Sequence, residues 1–177
     1  MAMKSLTSVV ILALFLLSVS QWLALVNADL IEDTCKRSKT PFMDLCVTSL
    51  RSDPRSSSAD VKGLVHITFE LVQSNVTDTF GQVKALLENT TDPDVKQSLN
   101  DCFGLYKKSV STTLPDAISA LDSSLELAGI LINEVKSNAE DCERDFTDGP
   151  NPRKSPLGDR NLVAFRLGDI AFYFSSL

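Results

Sequence analysis

Between Val95 and Phe146 the apolar residues recur at steps of three and four. Val95, Leu99, Cys102, Phe103, Tyr106, Val110, Leu114, Ala117 and Leu121 fall on one face of a helix. After a polar break at Asp122-Ser123-Ser124, the residues Leu125, Ala128, Leu131, Ile132, Val135, Ala139, Cys142 and Phe146 repeat the spacing. This pattern predicts two helices that fold back on each other, each with a cysteine in its apolar stripe. Cys102 stands 20 residues before Asp122 and Cys142 stands 20 after it. At ~1.5 Å per residue both reach the same height, roughly 30 Å from the turn, so a disulfide between them is geometrically natural.

Around this hairpin the pattern predicts further helices. One runs from about Asp60 to Leu87, capped by Ser58 or Asp60, with Val61, Leu64, Val65, Leu71, Val72, Val76, Phe80, Val83, Leu86 and Leu87 toward the core. Lys62, His66, Glu70, Gln73, Thr77, Lys84 and Glu88 make its solvated face. Asp92 and Pro93 start the next helix, which should continue through Leu121 with a bend at Pro115. The third spans Ser124 to Phe146, and Thr147 to Pro156 is a loop by composition. The last helix, from Leu157 or Asp159 to Ser176, turns Leu162, Val163, Leu167, Ile170, Tyr173, Phe174 and Leu177 inward and projects Phe165 and Phe172 from the other side. Ahead of the four, residues 29–50 read as short helical pieces around Cys35 and Cys46 with a turn at Thr40-Pro41, followed by a polar connector from Ser52 to Ser58.

The first 28 residues have a different character. Lys4, the apolar runs Val9–Leu17 and Trp22–Val26, and Val26-Asn27-Ala28 before Asp29 form the layout of a secretion signal cut after Ala28. Ser18 and Gln21 interrupt the run, so a membrane anchor is not expected. Residues 29–177, 149 in all, then make one domain. Removing Lys4 leaves 16 basic against 23 acidic residues, a net charge of −7, which argues against a nucleic-acid partner. In an oxidising compartment the four cysteines form two disulfides, with three pairings open. Cys35 and Cys46 are close in sequence, and level-matching selects Cys35 with Cys46 and Cys102 with Cys142. The cysteine spacings fit no zinc pattern and His66 is the sole histidine, so neither a metal nor a cofactor is expected.

Secretion gives meaning to two glycosylation signals, Asn75-Val76-Thr77 and Asn89-Thr90-Thr91. Asn75 projects among Leu64, Leu71 and Val72, whereas Asn89 ends its helix, so a glycan is expected on Asn89 and not on Asn75. No phosphate loop, Gly-x-Ser-x-Gly elbow, His-Glu-x-x-His or Cys-x-x-Cys is present. The carboxylate pairs Glu32-Asp33 and Glu140-Asp141-Cys142-Glu143 read as solvated helix surface, since no apolar pocket is implied to raise a pKa. The chain is expected to bind rather than catalyse.

Four segments carry a resemblance. They are Ile31-Glu32-Asp33-Thr34-Cys35; the run from Leu45-Cys46-Val47 to Asp60, with Gly63-Leu64; Leu99-Asn100-Asp101-Cys102-Phe103-Gly104-Leu105-Tyr106; and Asp141-Cys142-Glu143-Arg144-Asp145-Phe146. Together with Ser155-Pro156-Leu157 they resemble the plant invertase and pectin methylesterase inhibitors along essentially the whole of 29–177. The resemblance implies an all-α fold, an antiparallel four-helix bundle preceded by a short N-terminal helical hairpin, with two disulfides paired as above. It also implies a secreted inhibitor, in the cell wall (apoplast) or vacuole, that blocks an acid invertase (beta-fructofuranosidase) or, alternatively, a pectin methylesterase. Ser52-Asp53-Pro54-Arg55-Ser56 resembles the invertase-inhibitor branch, including its pollen-allergen-like members, which typically carry Pro-Lys-Phe in the turn after the second bundle helix; here that turn reads Asp122-Ser123-Ser124-Leu125-Glu126-Leu127. The target-binding candidates are accordingly Asp122, Ser123, Ser124, Leu125 and Glu126. A third reading is a non-inhibitory secreted bundle that binds a small molecule or self-associates as a homodimer through Phe165 and Phe172.

Overall fold

The architecture is that of a computed structural model, which describes residues 11–12, 14–16, 30–148 and 152–177. Helical residues at 11–12 and 14–16 apart, the predicted secretion signal and its cut after Ala28 lie outside the described residues. Among the described residues no helix is long and apolar enough to cross a membrane. Their regular structure is helical throughout: α1 (30–38), α2 (Met43–Ser52), a 3-10 turn (Pro54–Ser57), α3 (Val61–Asn89), α4 (Pro93–Lys108), α5 (Leu114–Ala120), α6 (Leu125–Thr147) and α7 (Gly158–Phe174).

Side-chain caps set where the long helices begin. The Asp60 carboxylate accepts from the Gly63 amide at 2.8 Å, Asp92 accepts from the Asp94 and Val95 amides, and the Ser124 hydroxyl accepts from the Leu127 amide at 3.2 Å. At α7 the Ser155 hydroxyl, one residue before Pro156, accepts from the Leu157 amide at 3.1 Å. The helices pack in a closed circuit: α3 against α4, α4 and α5 against α6, α6 against α7, and α7 back against α3. The α1–α2 hairpin is closed by the Cys35–Cys46 disulfide, and α2 lies on α3 and α7.

The predicted continuous helix through Leu121 is divided. Ser109–Thr113 forms a π-helical segment between α4 and α5. Pro115 donates no hydrogen bond and its ring crowds the carbonyl four residues back, so the chain widens one turn ahead of it. Helix α3 is buried over a wider arc than its apolar stripe: Ile67, Thr68, Phe69 and Thr79 are buried too, because α2 and the 3-10 turn also pack against it. In α7 the face is rotated. Leu162, expected inside, is 44% exposed, while Ala164, Gly168 and Ala171 are buried. A Cβ at Gly168 would stand 3.1 Å from the Lys136 Cβ and 3.4 Å from its Cα, so the closeness of α6 selects small residues and turns Leu162 outward. Leu125, placed in the α6 stripe, is 39% exposed.

At one end of the bundle, Cys102 is joined to Cys142 with their Cα atoms 4.8 Å apart. One helical turn on, the buried Tyr106 hydroxyl donates to the Asn161 Oδ1 at 2.8 Å, and the Asn161 amide donates to Glu143 Oε2 at 2.8 Å. The Asp-Cys-x-x-x-Tyr spacing thus directs a covalent bond to α6 and a hydrogen bond to α7 from one face of α4. Closing a loop over a sequence separation of 40 stabilises the fold by about 4 kcal/mol in the chain-entropy model. Burial pushes the Tyr106 phenol pKa well up, so it stays a donor. Tyr106→Phe would strand the buried Asn161 carbonyl, and a loss of about 1–3 kcal/mol in urea unfolding is expected; an unchanged midpoint would show that the bond contributes nothing.

Candidate functional site

At the opposite end, the Ala120 carbonyl accepts from the Ser123 amide at 3.0 Å and the Ser124 amide at 2.7 Å, folding the chain back within three residues. Leu121, 4% exposed, anchors the turn in the core. Asp122 then points back to α3: its Oδ1 lies 2.7 Å from Lys62 Nζ and 3.5 Å from His66 Nε2. His66, expected on a solvated face, is half-buried against this turn, because the face that looks free along α3 alone is where the turn from the neighbouring helix lands.

The five candidate residues therefore do different things. Asp122 pins the turn to α3, the Ser123 hydroxyl donates to the Ala120 carbonyl at 3.4 Å, and Ser124 caps α6. Leu125 and Glu126 face solvent. Two residues beyond the candidates extend this surface: Leu127 is 47% and Ile130 61% exposed. Their signal was present in the sequence, since both fall outside the α6 stripe and stand three apart on one helical face. The end of α7 abuts the same region, where a Cβ on Gly129 would lie 2.5 Å from the Ser175 hydroxyl. The outcome is a short, closed turn beside an exposed apolar pair, Leu127 and Ile130, with Leu125 exposed on another side of α6.

Other predicted positions are dispersed. The aromatic pair expected to project for self-association is not an exposed pair: Phe165 is half-buried and meets Phe42 of the hairpin edge-on at 6.4 Å, while Phe172 is 36% exposed. Lys136 Nζ stands 5.5 Å from the Phe165 ring and 5.4 Å from the Phe172 ring, and pairs with Asp169 at 3.1 Å. A groove of about 370 Å³ between α6 and α7 is lined by Ala139, Leu162 and Phe165, with Glu140 and Glu143 among its walls. Among the described residues no group of three or more His, Cys, Asp or Glu could hold a metal ion.

A profile of the plant invertase/pectin methylesterase inhibitor family matches residues 29–172. The chain belongs to that family. This places it among inhibitors and not among enzymes. It is 35% identical over 133 residues to a protein named "Putative invertase inhibitor" from Platanus orientalis, covering 70% of this chain and 75% of that one. It is also 35% identical over 103 residues to a cell wall / vacuolar inhibitor of fructosidase from Arabidopsis thaliana, covering 58% of this chain and 48% of the other, so it spans about half that relative's length. The crystal structure of a mutant form of a pectin methylesterase inhibitor from Arabidopsis superposes with a TM-score of 0.69 over 81% of this chain and 93% of that chain, at 20% identity, a likeness of fold.

The Lys62 ammonium, aided by His66, holds the Asp122 carboxyl below its ordinary pKa, and Asp122 in turn raises that of Lys62. A depressed carboxyl adds stability above its unfolded pKa and loses it as pH falls through the folded value. A raised ammonium loses its share only as pH rises through its own. The latch is thus complete from about pH 4 to about pH 10. Carbon NMR should find the Asp122 midpoint below the usual aspartate range, and Lys62→Met should move it upward; a midpoint indifferent to Lys62 would remove the latch.

Proposed function

We propose that the chain is a secreted inhibitor that binds and blocks an acid invertase, a beta-fructofuranosidase, in the cell wall or vacuole. Its docking end is the Asp122–Glu126 turn with the adjoining start of α6. Family membership and the names of the relatives support the activity. The observation that carries the docking end is the exposed pair Leu127 and Ile130, three apart on α6, beside a turn paired with Lys62. Exposed apolar side chains close together on a preformed surface suit an interface core, because little conformational freedom is lost on binding. The turn is too short and too firmly tied back to insert as a projecting tripeptide. Contact is instead a convex edge laid against the rim of the cleft, with charged groups around it.

The absence of Pro-Lys-Phe favours one second reading, in which a bundle face covers the cleft of a pectin methylesterase. In either case a chain of net charge −7 after removal of the signal suits a basic target, with binding that weakens as salt rises.

The purified oxidised protein, titrated against an acid invertase and a pectin methylesterase side by side at mildly acidic pH, is expected to inhibit the invertase. Inhibition of the esterase alone selects the second reading, and inhibition of neither rejects both. Leu127→Asp with Ile130→Asp should weaken inhibition by about tenfold or more with an unchanged melting temperature; undiminished inhibition would move the docking end elsewhere.

A further inference from the structure

We infer that Asn89 is an N-glycosylation site and that Asn75, despite an equally good sequence signal, is not. The two asparagines lie on the same helix in opposite circumstances. Asn89 is the last residue of α3 and is exposed; Thr90 is its C-cap, and Thr91 is exposed and outside any helix. The Asn89 Nδ2 donates to the Ala85 carbonyl at 2.7 Å. That bond holds the carboxamide at the helix edge, and a glycosylated amide keeps one N–H with which to continue it.

Asn75 sits mid-helix. Its side-chain oxygen is sealed from solvent and has no hydrogen-bond partner among the described residues. The residues on either side of it along the packed face, Val72 and Val76, are both 0% exposed. Residues two apart on a helix do not face each other, so within α3 the Thr77 hydroxyl stands away from the Asn75 amide. Thr91 lies past the end of α3, outside any helix, so the helical separation that parts Asn75 from Thr77 does not hold between Asn89 and Thr91. Asn75 itself is half-buried, and a chain modified there would have to seat a sugar on a carboxamide whose oxygen is already sealed and unsatisfied, between Val72 and Val76, and would be lost before secretion.

In the transfer, the Asn89 Nδ2 forms a bond to C1 of the first sugar of an oligosaccharide carried on a lipid pyrophosphate. The C1–oxygen bond breaks, the lipid pyrophosphate leaves with the electron pair, and one amide proton is released. The product stands at the end of the bundle away from the turn: 27 residues of α3 separate Asn89 from Lys62, about 40 Å at helical rise. Arg153 reaches Asp94 at 2.9 Å beside it, so the glycan rises next to the turn before α4 and leaves the docking end clear, a consequence that rests on the proposed docking reading.

The test is independent of inhibition. The full chain is secreted from a plant cell host, digested with an amide-cleaving glycosidase in oxygen-18 water, and mapped by tandem mass spectrometry. Labelled aspartate is expected at position 89 and not at 75. Thr91→Ala, an exposed change that leaves both asparagines in place, should abolish the glycosidase-sensitive mobility shift, and Asn75→Ala should leave it intact. Label at 75, no label at 89 in the secreted protein, or a shift that survives Thr91→Ala would overturn the assignment.

Discussion

The cross-link between Cys102 and Cys142, with the Tyr106–Asn161–Glu143 chain of hydrogen bonds one turn away, is the constraint from which the other arrangements follow. It fixes α4 to α6 covalently and ties both to the start of α7, so three of the four bundle members share one registered end. From that end α4–α5 and α6 run side by side to the turn at Asp122. Neither helix can slide without breaking the buried network, and a buried polar group left without its partner costs more than the hydrogen bond itself contributes. The register of α4–α5 against α6, and with it where the turn between them falls, is therefore set far from the turn.

That division of labour suits an inhibitor. One end is covalently and polarly locked, and the other offers a small surface whose geometry is fixed before any partner arrives. Lys62 and Ser124 hold the turn beside that surface, while Leu127 and Ile130 stay unburied within it. Leaving two large apolar side chains together in water near a charged latch gives the fold nothing; their exposure makes sense as surface that a partner covers. The proposed glycosylation site at the far end fits the same orientation.

Much of this was legible in the sequence, because periodicity and caps are local. The heights of Cys102 and Cys142 about Asp122, the caps at Asp60 and Asp92, and the start of α6 near Ser124 all follow from residue spacing. What was not legible depends on neighbours that a single helix does not reveal. The π-helical segment at Ser109–Thr113 is where the strain of Pro115 is relieved, and nothing in those five residues announces it. Leu162 reads as core until the approach of α6 at Gly168 rotates α7. His66 looks solvated until the turn at Asp122 arrives from another helix, and Phe165 looks free until Phe42 of the hairpin meets it. In the candidate site, the turn was found by its place in the chain and the spacing of Leu127 and Ile130 outside the α6 stripe was there to be read, whereas the latch to Lys62 needed the packed structure.

The central claim is that the partner meets the Asp122 end. Amide hydrogen exchange of the chain, free and in complex with an acid invertase, tests it most directly. Protection on binding should concentrate in the turn and the start of α6, residues 121–131, with the opposite end around 89–102 and 142–157 unchanged. Protection confined to that opposite end, or to the α1–α2 hairpin, would contradict the account.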